Sequence, residues 1–362
     1  MTFDDVKEAL LDAIDTDAAP GLGAAVAKGD FQWNAFVGLL VDEAPDEKET
    51  GLGHDRREVD EKSIYDLASL TKILSTAPLV ALAIHRGLLS LDEELVPRWP
   101  GVTVEYILRH RGGLPAWMPF YESINQGGKA GTQDGRRILL SQITQSAPEH
   151  PLDQQTLYSD LGFIKLAAVV EERLGAPLKK LFRDLADDLY DGAKLHFLPL
   201  KEGLPSNLHN IAPTEHCPWR KRMVHGQVHD DNAFAMGGVA GHAGLFGSVA
   251  DTLKAGQALL EVQNGTSKWE AAEVLQSFME VPADDDVRPL GFDRATPGGS
   301  TGDVFSANAV GHLGFTGTSL WLDDNAVYVL LTNRVCPSRS REGVKELRQA
   351  FHTKAFAALQ NV

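Results

Sequence analysis

Positive charge is scarce in this chain: 34 lysines and arginines stand against 50 aspartates and glutamates, a formal net charge of −16. A phosphate-rich or anionic lipid surface repels such a protein, so neither a nucleic-acid nor a membrane partner is expected. Long apolar runs are also missing, since the longest, around Ala77 to Ile84, is far too short to cross a bilayer. Cysteine is rarer still. Cys217 and Cys336 lie far apart, with no Cys-x-x-Cys partner and no metal-ligand spacing. They read as thiols rather than as a disulfide, a metal site or a catalytic cysteine. The start, Met1 to Val6, lacks the basic opening and apolar core of a secretion signal, and a cytoplasmic location is expected.

What is present suits a globular enzyme, with 43% hydrophobic and 23% charged residues. A chain of 362 residues exceeds what one core usually holds, so two packed subdomains are expected. Val6, Leu10, Leu11 and Ile14 recur at helical spacing and predict a helix over Phe3 to Ile14, broken by Pro20 and Gly21. Leu22 to Ala27 and Phe31 to Leu40 read as strands around a turn at Gly29-Asp30. Charge and glycine dominate Asp42 to Glu61, an expected exposed loop. Leu67 to Gly87 predicts a helix that is apolar nearly all round and therefore buried. Helical segments between proline and glycine clusters fill Asp92 to Gly247, and a helix follows over Thr252 to Val262. Strands return at Gly311 to Leu322 and Ala326 to Asn333, around Asp323-Asp324-Asn325, before a last helix over Glu342 to Leu359. No internal repeat appears. The order implies an α/β subdomain built from residues 1–75 and 248–362 and a mainly helical insertion over 76–247. The active site is expected in the cleft between them.

Ser69-Leu70-Thr71-Lys72 carries the most chemistry. Serine is a poor nucleophile until a group accepts its proton, and a lysine three residues on shares its helix face. Asp66 is the expected N-cap, and free N–H groups at that helix start favour developing negative charge. A lone Ser-x-x-Lys arises by chance in most chains of this length, with its lysine on a solvated face. Here it opens a very apolar helix, where a surface lysine is out of place.

Tyr65-Asp66-Leu67-Ala68-Ser69-Leu70-Thr71-Lys72 resembles the nucleophile motif of the class C β-lactamase-like serine hydrolases, related to penicillin-binding proteins. That group includes DD-carboxypeptidases, D-aminopeptidases and bacterial esterases. Leu108 to Pro115 is similar to the group's Leu-x-His-x-Ser-Gly-Leu-Pro signature, with Gly112 replacing its serine. Tyr158-Ser159-Asp160 resembles Tyr-x-Asn, and Gly311-His312-Leu313-Gly314-Phe315 partly matches the His-Thr-Gly form of the third motif.

The resemblance covers nearly the whole chain. It implies the β-lactamase/DD-peptidase-like fold, with an antiparallel sheet flanked by terminal helices and an inserted all-helical subdomain. It implies that Ser69 forms an acyl-enzyme and that Lys72 and Tyr158 share the acid and base work. The backbone N–H groups of Ser69 and Phe315, the latter on a strand beside Gly314, are the implied oxyanion hole. His312 stands for the third-motif lysine beside the substrate. No cofactor is implied. Two departures have consequences. Asp160 in place of asparagine adds a carboxylate that holds Lys72 charged and favours Tyr158 as proton acceptor. His312 in place of lysine weakens the anchor for a substrate carboxylate, so efficient β-lactamase activity is not expected.

Other patterns compete for attention. His225 and His229 are four apart, a spacing that binds zinc on a helix, with Asp230, Asp231 or His242 available to join. Gly226 between them opposes a helix, and no metal site is expected. Gly237 to Gly244 is glycine-rich but lacks the Gly-Lys-Ser/Thr ending of a phosphate loop. It reads as a tight loop entering the helix after Asp251, with His242 packed there or touching substrate. Trp117, Phe120 and Tyr121 either wall an acyl pocket or belong to the core. The expected substrate is a small ester or a D-amino-acid or peptidoglycan-fragment amide. The competing readings are a slow penicillin-binding or sensor protein and a metallohydrolase.

Overall fold

The computed structural model describes residues 1–41 and 57–362. Most of the expected loop at Asp42 to Glu61 lies outside the described residues. Within them, Val59 is buried and the Leu40 N–H donates to Arg57 O at 2.8 Å.

The N-terminal periodicity yields helix α1 (Phe3–Asp15), capped by reciprocal Thr2 and Asp5 hydrogen bonds. Strands β1 (Gly21–Lys28) and β2 (Phe31–Gly38) form the expected hairpin, with Gly29 at φ +55° in its turn. From the other end of the chain come β8 (Asp293–Arg294), β9 (Val310–Leu313), β10 (Ser319–Asp323) and β11 (Ala326–Thr332). Together they make one antiparallel sheet in the order β2-β1-β11-β10-β9-β8. The β10–β11 turn needs positive φ at Asp324 and Asn325, residue types that tolerate it.

Both faces of the central strands are covered, because alternate side chains enter two different cores. Ala24, Val26, Tyr328 and Leu330 pack with Val6, Leu10 and Phe351 from α1 and the C-terminal helix α11 (Val344–Leu359). Ala25, Ala27, Val327 and Val329 face the larger core, which continues into the helical region through Leu74, Val80, Phe163 and Phe182.

That region contains α2 (Ala77–His85), α3 (Val104–Leu108), α4 (Phe120–Gln126), α5 (Gln133–Gln145), α6 (Asp160–Leu174), α7 (Leu178–Asp188) and α8 (Asp231–Ala235). Short strands also occur there, beyond the helices that periodicity announces. β7 (Leu245–Ser248) lies between β3 (Ile64–Asp66) and β4 (His196–Phe197), and β5 (His216–Cys217) pairs with β6 (Arg222–Met223). Segments of two to four residues are too short for a periodic signal. Helices α9 (Val249–Gln263) and α10 (Ala272–Phe278) lead back towards the sheet.

Three expected elements change. The helix expected over Leu67 to Gly87 begins after Ser69, and Lys72–Thr76 forms a π turn ahead of α2. Pro78 has no N–H for Leu74 O, which accepts the Tyr190 hydroxyl at 2.9 Å instead, while the Ala77 N–H reaches Lys72 O. The strand expected over Gly311 to Leu322 breaks into β9 and β10. Gly314 N–H donates to Thr318 O at 2.7 Å and Gly317 takes φ +108°, which closes a tight turn. The glycine-rich loop enters β7 first, and α9 begins at Val249 rather than after Asp251.

Helix α9 lies close on the sheet at Gly256, where a Cβ would sit 2.6 Å from Val327 Cγ1 and 2.8 Å from Leu320 Cδ1. Gly256→Val is expected to overpack this contact and lower stability by about 1–3 kcal/mol, read from the urea unfolding midpoint. An unchanged midpoint would mean that the helix has room to ride off the sheet.

Candidate active site

Strand β3 ends in a turn that is bound from several sides. Asp66 Oδ1 accepts the Ala68 N–H at 2.9 Å and Oδ2 accepts the His229 N–H at 2.7 Å. Asp66 therefore caps the turn before the helix rather than the helix itself. Burial lifts its carboxyl above the usual range although both N–H donors oppose this. Ala68 sits at φ +46°, a left-handed conformation that costs a non-glycine residue roughly 1–2 kcal/mol. Thr316 Oγ1 donates to Asp66 O at 2.7 Å and Thr318 Oγ1 to Leu67 O at 3.2 Å, which ties this strained turn to the β9–β10 turn. Ser69 follows, half-buried.

Lys72, on the π turn, is fully buried. Its Nζ donates to Ser69 Oγ at 2.9 Å, Tyr158 OH at 2.5 Å and Asp160 Oδ1 at 2.7 Å. An ammonium has three N–H bonds, and these are its three shortest partners, with His242 O farther off at 3.4 Å. Burial alone would lower the lysine's proton affinity, but Asp160 and Tyr158 outweigh it and raise the pKa. Burial also pushes Tyr158 up to about 12, against the pull of Lys72.

Tyr158 and Asp160 flank Ser159, the residue before α6. Ser159 Oγ donates to Pro115 O at 2.6 Å, its N–H donates to His110 Nδ1 at 3.0 Å, and the Asp160 N–H donates to Ala116 O at 3.0 Å. His110 also packs 4.5 Å from the Tyr158 ring and 5.2 Å from Phe163, centroid to centroid. Burial, then Arg288 and Lys72, keep this imidazole well below its ordinary pKa, so it stays a neutral acceptor. His110 is a site residue that the sequence signature contained without revealing its task.

On β9, His312 Nδ1 lies 2.7 Å from Leu313 O, and its ring is 5.8 Å from that of Tyr158. A carbonyl at Nδ1 requires the proton there, leaving Nε2 as an acceptor with no partner among the described residues. Burial lowers its pKa to about 4. A Cβ on Gly314 would come 2.0 Å from Thr318 Oγ1 and 2.8 Å from Leu67 O, so only glycine lets this turn approach the Ser69 turn. Phe315, expected on a strand, lies in that turn instead, because the Gly314–Thr318 hydrogen bond has already ended β9. Its ring is 51% exposed and stacks on His229 at 5.6 Å. Among the described residues, the N–H groups of Ser69 and Phe315 donate to no protein acceptor.

His242 is buried on the glycine-rich loop, with Nε2 2.8 Å from Asp230 Oδ1 and its carbonyl 3.4 Å from Lys72 Nζ. Ligating atoms of Asp160, Asp230 and His242 lie within 4.8 Å of one another. A cation in this group would meet the Lys72 ammonium bonded to Asp160, and the two charges would repel. The His225–His229 pair does not converge. His225 Nε2 meets Ile211 O at 2.8 Å, whereas His229 Nε2 faces Glu215 at 3.4 Å. Of the aromatic trio, Phe120 is core, Trp117 is 44% exposed, and the Tyr121 ring lies tilted against Trp219 at 5.0 Å.

Known proteins resemble this chain to different depths. A putative D-alanyl-D-alanine carboxypeptidase of Escherichia coli K12 is 30% identical over 307 residues, 75% of this chain and 69% of that protein. An N-acetylmuramyl-L-alanine amidase of Bacillus subtilis 168 is 29% identical over 314 residues, 75% of this chain and 68% of its own. The octameric penicillin-binding protein homologue of Pyrococcus abyssi superposes with a TM-score of 0.72 at 17% identity, over 100% of this chain and 78% of that one. It shares the fold: helices around an antiparallel sheet, as in penicillin-binding proteins and β-lactamases. The family model described as Beta-lactamase matches residues 8–352, which include every site residue above, and the chain belongs to that family.

Proposed function

We propose that this protein is a serine hydrolase that forms an acyl-enzyme at Ser69 and cleaves a small ester or the amide of a cell-wall-derived fragment. The observation that carries this reading is the buried Lys72 ammonium, bonded at once to Ser69 Oγ, Tyr158 OH and Asp160 Oδ1. Such a centre has an obvious use: to take a proton from the hydroxyl and return it to a leaving group.

Ser69 Oγ attacks the substrate carbonyl, and its proton passes to the Lys72–Tyr158 pair. Because Asp160 holds Lys72 protonated, Tyr158 is the nearer acceptor once the pair has lost one proton; the pair titrates as a unit. The Ser69 and Phe315 N–H groups receive the oxyanion. The pair then protonates the leaving oxygen or nitrogen as its bond to carbon breaks, and water, deprotonated by the same pair, releases the acid.

His312 bears on the substrate. A neutral ring with an open Nε2 accepts a hydrogen bond and supplies no fixed positive charge for a carboxylate. That favours a substrate without a carboxylate at this position, such as an ester or an internal amide. Of the two relatives, the amidase name supports an internal amide of cell-wall origin, whereas a carboxypeptidase's substrate, with its terminal carboxylate, suits the neutral His312 less well.

Two outcomes are expected. Ser69→Ala loses turnover of a short-chain nitrophenyl ester by roughly 10⁴-fold or more, and intact-protein mass shows an acyl adduct on Ser69 in the wild type only. Equal activity in both proteins would remove Ser69 from the mechanism. In Asp160→Asn, Lys72 loses the carboxylate that raises its pKa. The rise of kcat/KM with pH therefore moves to lower pH, by about one unit. A profile that stays in place or moves up would show that Asp160 does not hold the Lys72 proton.

A further inference from the structure

We propose that His242 is a positioning residue for Lys72, acting through the Asp230 carboxylate that it holds beside Asp160. The inference rests on the acyl-transfer reading above and assigns a task to two residues which that reading leaves idle.

Three elements deliver charge to one small volume. Lys72 comes from the π turn, Asp160 from the start of α6 with Tyr158 just before it, and Asp230 from the cap of α8 with His229 next to it. Asp66 lies beyond, close enough for Asp230 to act on it, and the neutral imidazoles of His110 and His312 face Lys72 from other elements, with the Arg288 guanidinium 5.6 Å from the Tyr158 ring. Asp160 bonds Lys72 directly at 2.7 Å. Asp230 is a second carboxylate with an oxygen within 4.8 Å of an Asp160 oxygen, so a second negative charge stands beside the carboxylate that bonds the ammonium. What occupies the second is His242, whose Nε2 lies 2.8 Å from Asp230 Oδ1; the Ala233 N–H donates to the same oxygen at 2.7 Å. Although burial favours its neutral form, His242 and these neighbours hold Asp230 ionised, well below the usual carboxylate range. The imidazole therefore answers a charge that would otherwise act on Lys72 through a poorly screened interior.

The ring can be changed without unseating the loop. Gly241 O accepts the Thr76 hydroxyl at 2.6 Å, and the His242 carbonyl faces Lys72 through backbone alone. An asparagine in place of Asp230 can still accept the Ala233 N–H and cap α8.

The two residues should move Lys72 in opposite directions. Without the imidazole, Asp230 acts unopposed and Lys72 keeps its proton to higher pH. Without the Asp230 charge, Lys72 releases it at lower pH. A residue serving only as packing would give shifts of one sign or none.

The experiment measures kcat/KM against pH for wild type, His242→Ala, His242→Gln and Asp230→Asn, with thermal melting to show that each is folded. The Lys72 midpoint is followed in parallel by NMR of ¹³C-labelled lysine, which needs no turnover. His242→Ala is expected to raise the midpoint by about one unit, a roughly tenfold loss at neutral pH, and Asp230→Asn to lower it by a similar amount. In His242→Gln the side-chain amide can still donate to Asp230, so this variant is expected to return most of the shift. Coincident midpoints, or movement of both His242→Ala and Asp230→Asn in one direction, would overturn the inference even with a Ser69 adduct in the wild type. Opposite shifts in a wild type that forms no Ser69 adduct would uphold it and remove the hydrolase reading instead.

Discussion

A lysine with no exposure to solvent is an expensive thing to bury, and the architecture around Ser69 is arranged to keep that ammonium tolerable. Its three protons meet Ser69, Tyr158 and Asp160 within 2.9 Å. Removing one partner of a buried charge typically costs about 3–5 kcal/mol, so Ser69, Tyr158 and Asp160 are held in place partly by the need to satisfy the lysine. The geometry around Ser69 and the stability of this region rest on the same set of hydrogen bonds.

Around that centre, the segments are fastened to one another through backbone atoms rather than through further charges. The strained turn at Ala68 is held by Asp66 from below and by Thr316 and Thr318 from the sheet. The Tyr158 turn is held by His110 and by the Pro115 and Ala116 carbonyls. Gly314 allows the sheet edge to lie against the Ser69 turn, where a methyl group would collide with Leu67 O. Apart from the Asp66 carboxylate, each of these fastenings uses an uncharged donor or acceptor, so the local field comes from Lys72, the carboxylates near it and the Arg288 and Arg348 guanidinium groups.

The substitution of aspartate for asparagine at 160 and the closeness of His242 to Asp230 alter the balance of that field. An asparagine would add no charge beside the lysine; the Asp160 carboxylate, with Asp230 near it, raises the proton affinity of Lys72 instead. The neutral His312 completes the change by removing a fixed positive charge from the sheet side of the cleft. The centre is thus tuned by what surrounds its lysine more than by the identity of the nucleophile.

Periodicity by itself determined the terminal helices, the β1–β2 hairpin, the β10–β11 turn and the burial of α2, because each depends on local repetition of side chains along one segment. The order of the Ser-x-x-Lys, Tyr-Ser-Asp and Gly-His-Leu-Gly segments singled out candidate residues that the fold then brings together. Only the tertiary structure decided the rest. The π turn at Lys72 goes with Pro78, which has no N–H for Leu74 O, and with the Tyr190 hydroxyl that Leu74 O accepts from more than a hundred residues away. The break between β9 and β10 depends on a turn that packs against Leu67. His110 and Asp230 acquire partners at Ser159 and His242 only when the chain has folded. Burial and the proximity of distant charges set the proton affinities of Lys72, Tyr158 and His312, and neither has a signature in the spacing of residues along the chain.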